Sequence, residues 1–93
     1  MLDLDAKYLL SDGIALRGIT SRFWALNTTD GSQYRLNEVS FFILNSLRTA
    51  LTVYEVIDLV LKEYSVDRAR ATEDCKKVLQ SAIEYGIVKE VST

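Results

Sequence analysis

A chain of 93 residues makes one domain burying roughly 65% of its unfolded surface, enough for a few helices on a small sheet but not for a large active-site cavity. Apolar residues are 48% and charged residues 26% of the chain, an ordinary globular mixture with no low-complexity stretch. A net charge of −2 argues against a nucleic-acid or anionic-membrane partner.

The chain contains no histidine and one cysteine. It therefore lacks the commonest metal ligand and neutral-pH general base, and it has no internal disulfide. No catalytic residue, metal site or cofactor is expected. No apolar run approaches a membrane span, and the start MLDLDAKYLL has no basic segment of a signal peptide, so a cytoplasmic protein is expected. Residues 1–50 carry five acids and five bases, and residues 51–93 eight acids and six bases.

Tyr8-Leu9-Leu10 reads as a first strand or as an arm packed on the sheet, followed by a turn at Asp12-Gly13. Ile14 and Leu16 alternate with Ala15 and Arg17 as in a strand. The segment Phe23 to Leu36 is then a hairpin signal, because Asp30-Gly31 lies between apolar runs and Gly31 can take the positive φ of a reversal. A two-residue turn pairs Ala25 with Leu36. A three-residue Thr29-Asp30-Gly31 loop pairs Trp24 with Leu36 and Leu26 with Tyr34, and it is preferred for gathering four large side chains on one face. Either way the three strands form an antiparallel meander with Ser32 to Leu36 at its edge. Both registers make Tyr34 and Leu36 the inward-bonded residues, so Gln33 and Arg35 point their N–H and C=O groups outward.

Asn37 caps a first helix that is apolar around most of its circumference, through Val39, Phe41, Phe42, Ile43, Leu44 and Leu47. Such a helix belongs between the sheet and the later helices. Thr52 and Glu55 form a capping box, with Leu51 and Val56 placed for a hydrophobic staple. The second helix buries Val53, Val56, Ile57, Val60, Leu61 and Tyr64 and leaves Glu55, Asp58, Lys62 and Glu63 in water. Asp67 opens a last helix, Arg68 to Tyr85, about 27 Å long. It has a stripe of Ala71, Cys75, Val78, Leu79 and Ala82, and Gly86 closes it. Ile87 to Val91 either adds a short strand or packs back.

The expected architecture is α+β: a winged helix-turn-helix with a three-stranded antiparallel sheet followed by three helices. The runs YRLNEVSFFILNSL, LTVYEVIDLVLKEYSVD and ARATEDCKKVLQSAIEYGIV resemble the PqqD-like family of leader-peptide recognition domains. The residues that carry the likeness, over roughly residues 14–91, are Leu36-Asn37, Thr52 with Glu55, Tyr64, and Ala71, Asp74 and Cys75. The stretch Arg22 to Asn27 also looks like the standalone domains of lasso-peptide clusters. Thr49-Ala50 stands where the family often has a glycine, and Cys75 where valine is usual.

The resemblance implies that residues 1–93 are one non-catalytic module. It implies binding of the leader of a ribosomally made precursor peptide as an added strand on the sheet edge, beside the last helix. A modifying enzyme is then the second partner: a leader peptidase, a cyclase or a radical enzyme. The peptide-binding residues expected on this basis are Ser32, Gln33, Tyr34, Arg35 and Leu36, with Arg70, Asp74, Lys77, Val78 and Ser81. Periodicity does not choose between the helix flank of Arg70, Asp74, Lys77 and Ser81 and that of Arg68, Thr72, Lys76 and Ile83; the match at Asp74 selects the first. On base rates Trp24, Tyr34 and Leu36 are core, Cys75 is a small core side chain, and Arg70, Asp74 and Lys77 are a solvated face.

Two rival readings are a winged-helix DNA-binding regulator and an unrelated protein-interaction module. The last helix, which would enter the groove of DNA, holds Arg68, Arg70, Lys76 and Lys77 against Asp67, Glu73, Asp74 and Glu84. That zero balance is unlike the basic field of a groove-reading helix.

Overall fold

The computed structural model describes residues 2–91. Four strands come first: β1 (Lys7–Leu10), β2 (Ile14–Ile19), β3 (Arg22–Asn27) and β4 (Gln33–Leu36). They are followed by helix α1 (Glu38–Ser46), a two-residue strand β5 (Leu51–Thr52), helices α2 (Val53–Glu63) and α3 (Arg68–Glu84), and strand β6 (Val88–Val91).

The architecture is α+β and winged-helix-like, with the expected β2-β3-β4 antiparallel meander. A second three-stranded sheet, ordered β5-β1-β6, was not expected from the sequence. In it the two ends of the chain pair antiparallel, Lys7 with Val91 and Leu10 with Val88. Further backbone bonds hold β1 to the helical layer, from Leu10 N–H to Leu47 O (2.9 Å) and from Ser11 N–H to Ile87 O (2.9 Å). Tyr8 is 1% exposed, and its hydroxyl is held by the backbone N–H and C=O of Asp3.

The hairpin register differs from both expectations. Phe23 pairs with Leu36, Trp24 with Arg35, Ala25 with Tyr34 and Leu26 with Gln33. Thr28 to Gly31 form a four-residue loop, closed by Asn27 N–H to Ser32 O (2.8 Å) and Gly31 N–H to Asn27 O (2.8 Å). Side-chain bonds stabilise this longer loop. Asn27 Oδ1 accepts from the N–H groups of Thr29 and Asp30, and Asp30 Oδ1 from that of Ser32. Gly31 has φ +81°, the positive value expected of it.

Because side chains alternate, the one-residue shift moves Trp24 and Leu26 to the face opposite Tyr34 and Leu36. The expected cluster of four does not form, and Trp24 lies outside the core. Ala25 takes the inward place, fully buried beside Leu16, and its small side chain lets α1 approach the sheet.

α1 is the central helix, touching β3, β4, α2 and α3. Asn37 Oδ1 caps it by accepting from Ser40 N–H (2.7 Å). Ile43, Leu44 and Leu47 are buried, while Phe41 stacks on Phe23 (4.7 Å between centroids) and Phe42 meets the Tyr64 ring edge-on (5.5 Å). The capping box of α2 forms in both directions, Thr52 N–H to Glu55 Oε1 and Glu55 N–H to Thr52 Oγ1. Val53, Val56, Ile57 and Val60 are buried, and Leu61 and Tyr64 are half-buried.

Asp67 Oδ1 caps α3 through Arg70 N–H (2.8 Å). The helix ends at Glu84 with Tyr85 as its cap. Gly86 (φ +74°) then makes a Schellman motif, in which Gly86 N–H donates to Ile83 O and Ile87 N–H to Ala82 O. This ending turns the chain into β6 and returns it to β1.

Candidate functional site

The free edge of β4 runs beside α3, and a groove of about 760 Å³ lies between them. Four of its lining residues come from β4, namely Gln33, Tyr34, Arg35 and Leu36. α3 contributes Arg70, Asp74, Lys77, Val78 and Ser81, among others. These are the residues singled out from the sequence, except Ser32, which lies at the hairpin turn and does not line the groove. The helix flank that faces β4 is the one carrying Asp74. On the other flank, Arg68 reaches Asp58 of α2 at 2.7 Å.

Several lining residues were not anticipated. Asn37, Val39, Ser40 and Leu44 contribute from the start and middle of α1, and Ala82, Tyr85 and Ile87 from the far end. Tyr85 lies seven residues after Val78 and four after Ser81, so helical spacing alone places it on the same face. Its ring packs on that of Tyr34, with centroids 5.2 Å apart. The α1 residues carry no such signal, because they enter the groove only through the crossing of α1 beneath β4 and α3.

The backbone of β4 supplies the directional chemistry. The bond from Asn27 N–H to Ser32 O sets the phase of the β3–β4 ladder. With the observed pairing, Tyr34 and Leu36 bond inward to Ala25 and Phe23, which leaves the N–H and C=O groups of Gln33 and Arg35 facing outward. The conclusion that both expected registers shared thus holds in the third register too. Such an edge accepts an extended chain through main-chain bonds, and the neighbouring side chains then read alternate residues.

Charges in the groove are locally balanced. Arg70 pairs with Asp74 at 3.5 Å and Lys77 with Glu73 at 3.1 Å, both between residues four apart on the helix. As exposed pairs they contribute at most a few tenths of a kcal/mol (about 0.3–0.5) each. They can exchange partners with an incoming chain at little cost. Cys75, next to Asp74, is fully buried; burial, reinforced by the Asp74 charge, pushes its thiol up to about 11. It is a core side chain and not a nucleophile. Behind α1, the Tyr64 hydroxyl donates to Glu38 Oε2 at 3.3 Å, and burial together with the Glu38 charge raises its pKa. Among the described residues no cluster of three or more metal-ligating side chains occurs, and no helix is long and apolar enough to cross a membrane.

This fold and groove define a small winged-helix-like domain whose unpaired sheet edge faces a helix. The chain belongs to the PqqD family: the profile described as "Coenzyme PQQ synthesis protein D (PqqD)" matches residues 14–88. Among solved structures, TbiB1 in complex with the TbiA(beta) leader peptide aligns with a TM-score of 0.76 at 22% identity, over 91% of this chain and 99% of that one. A lasso peptide synthetase B1 complexed with the leader peptide aligns at 0.75 and 23% identity, over 90% of this chain and 99% of that one. At these identities the likeness is one of fold. A comparison with curated proteins finds no match.

Proposed function

We propose that this domain binds the leader segment of a ribosomally synthesised precursor peptide as an added strand on β4 and delivers the rest of the peptide to a modifying enzyme, with lasso-peptide maturation the favoured setting. The observation that carries this reading is the outward-facing backbone of Gln33 and Arg35 on a free edge, across a groove from α3. Family membership supports it, as do two solved relatives in fold that hold leader peptides. The side chains around the edge suit a mixed sequence: Tyr34, Leu36 and Val78 take apolar residues, while Arg70, Asp74 and Lys77 take polar ones. The domain brings no chemistry of its own, so the reaction falls to a leader peptidase, a cyclase or a radical enzyme.

Of the four cations on α3, Arg68, Arg70 and Lys77 already sit beside carboxylates, which favours a peptide over the phosphates of a nucleic acid. Backbone NMR with the leader of a precursor encoded beside this gene tests the proposal. Amide shifts concentrated at Gln33, Arg35 and residues 70–81 are expected. Shifts confined to α2 or to the β5-β1-β6 sheet would exclude the groove.

A further inference from the structure

The face of the β2-β3-β4 sheet turned away from α1 carries a second feature, which shares only Gln33 and Arg35 with the β4–α3 groove. Trp24 stands at its centre, in direct cross-strand register with Arg17 on one side and Arg35 on the other. Arg22 lies two residues along β3 on the same face, opposite Ile19. The three arginines are exposed, and Ile19 is 63% exposed. Trp24 is half-buried yet packs on none of the core. A shallow depression lies between Arg22, Trp24, Gln33 and Arg35. The strand sequences IALRGI, RFWALN and QYRL contain no acidic residue. None of these three arginines has an ion-pair partner among the described residues, whereas Arg68, Arg70, Lys77 and Lys89 each have one.

We infer that this face is a docking surface for an acidic, partly apolar segment of a protein partner, the enzyme that acts on the leader-bound peptide. Charge complementarity selects the occupant. Three unpaired guanidiniums surround an indole and an exposed isoleucine, so carboxylates spaced along an extended segment can each take a forked pair of N–H donors while apolar residues between them cover Trp24 and Ile19. A long polyanion fits less well. With three positive charges gathered on this face, the chain's net −2 leaves −5 over the rest, which repels a phosphate backbone extending beyond the patch. The face is also contiguous with β4 through Arg35, so a partner seated here lies beside the strand to which the leader would bind. The inference depends on the leader-binding proposal only for who brings the segment.

Trp24 is the chain's one tryptophan, so its fluorescence reports directly on the patch. The full chain is titrated with a tryptophan-free peptide alternating glutamate with valine, and with its glutamine counterpart, at physiological salt. A saturable change in Trp24 emission is expected with the glutamate peptide. It should weaken about tenfold in a folded Arg17→Ala/Arg22→Ala double variant and be only partly restored in Arg17→Lys/Arg22→Lys, which keeps the charges but not the forked donors. Arg17 and Arg22 line no part of the β4–α3 groove, so the double variant should bind leader as the parent does, and a loss of leader binding in the parent would leave this result standing. Equal binding of the glutamine peptide, no change in Trp24 emission, or tighter binding of a single-stranded oligonucleotide or a phosphatidylserine vesicle would overturn the inference.

Discussion

The rings of Tyr34 on β4 and Tyr85 at the end of α3 lie 5.2 Å apart with their planes inclined at 38°, joining the free sheet edge to the helix that faces it. This contact bridges the two walls of the groove, since both tyrosines line it. Tyr85 is 57% exposed, so its burial contributes little to the core and the aromatic contact is its main tie. Tyr85→Ala should lower stability by about 0.5–1.5 kcal/mol and weaken leader binding several-fold. Urea unfolding and fluorescence anisotropy with labelled leader measure the two effects, and unchanged leader affinity would show that the wall is not needed.

Arg35→Pro tests strand addition directly. Proline removes an outward donor and leaves the inward ladder of β4 intact, so the domain should stay folded by circular dichroism while leader affinity falls markedly. Arg35→Ala keeps the donor and should cost less. Tyr34→Pro strikes the inward-bonded position opposite Ala25 and should disrupt the hairpin. If folded Arg35→Pro binds leader as the parent does, the peptide does not add to this edge.

At Gly31 nothing lies within 4 Å of an added Cβ, yet φ is +81°. The cost of Gly31→Val is therefore conformational and not steric crowding, of the order of 1–2 kcal/mol, larger for a β-branched residue. Gly31→Asn should cost less, since asparagine tolerates the left-handed region. Thermal unfolding of the two variants checks the order.

The capping box at the start of α2 predicts a loss of about 1 kcal/mol for Thr52→Ala, read from the urea midpoint. Glu55, its reciprocal partner, has its pKa lowered chiefly by the Thr52 backbone N–H. A depressed carboxylate stabilises the fold above its ordinary pKa of 4.5 and ceases to as pH falls through the folded value. Glu55→Gln removes the titrating carboxylate, so the difference between parent and Glu55→Gln should narrow in acid.

Cys75 should resist thiol reagents in the folded protein and react fully in denaturant. Its folded pKa of about 11 lies above the ordinary 9.0. The neutral thiol thus favours the fold fully below pH 9, and that contribution disappears as pH rises through about 11. The parent should lose more stability than Cys75→Val over this range, as urea titrations at the two ends would show. Near neutrality Cys75→Val should leave leader binding nearly intact. Its complete loss in a folded variant would give the thiol a role the structure does not suggest.

The features legible in the chain without its fold are local. The caps at Asn37, Thr52 and Asp67, the capping box, the positive φ of Gly31 and Gly86 and the apolar stripes of α2 and α3 each depend on residues within a turn or two of one another, so spacing alone reveals them. The edge status of β4 and the outward direction of Gln33 and Arg35 were legible as well, because they follow from strand order and from a parity that all the registers share. The remaining features depend on contacts between segments distant in the chain. The hairpin slipped by one residue because Asn27 and Asp30 stabilise a four-residue loop and the core takes the small Ala25 beneath α1, and that slip put Trp24 on the outer face. Strands β1 and β6 pair across nearly the whole length of the chain, where no local pattern can signal a partner. Which flank of α3 faces β4 depended on how α1 sets the helix against the sheet. Packing distant elements against one another is a global compromise of volume and hydrogen bonding, and no short stretch of sequence carries it.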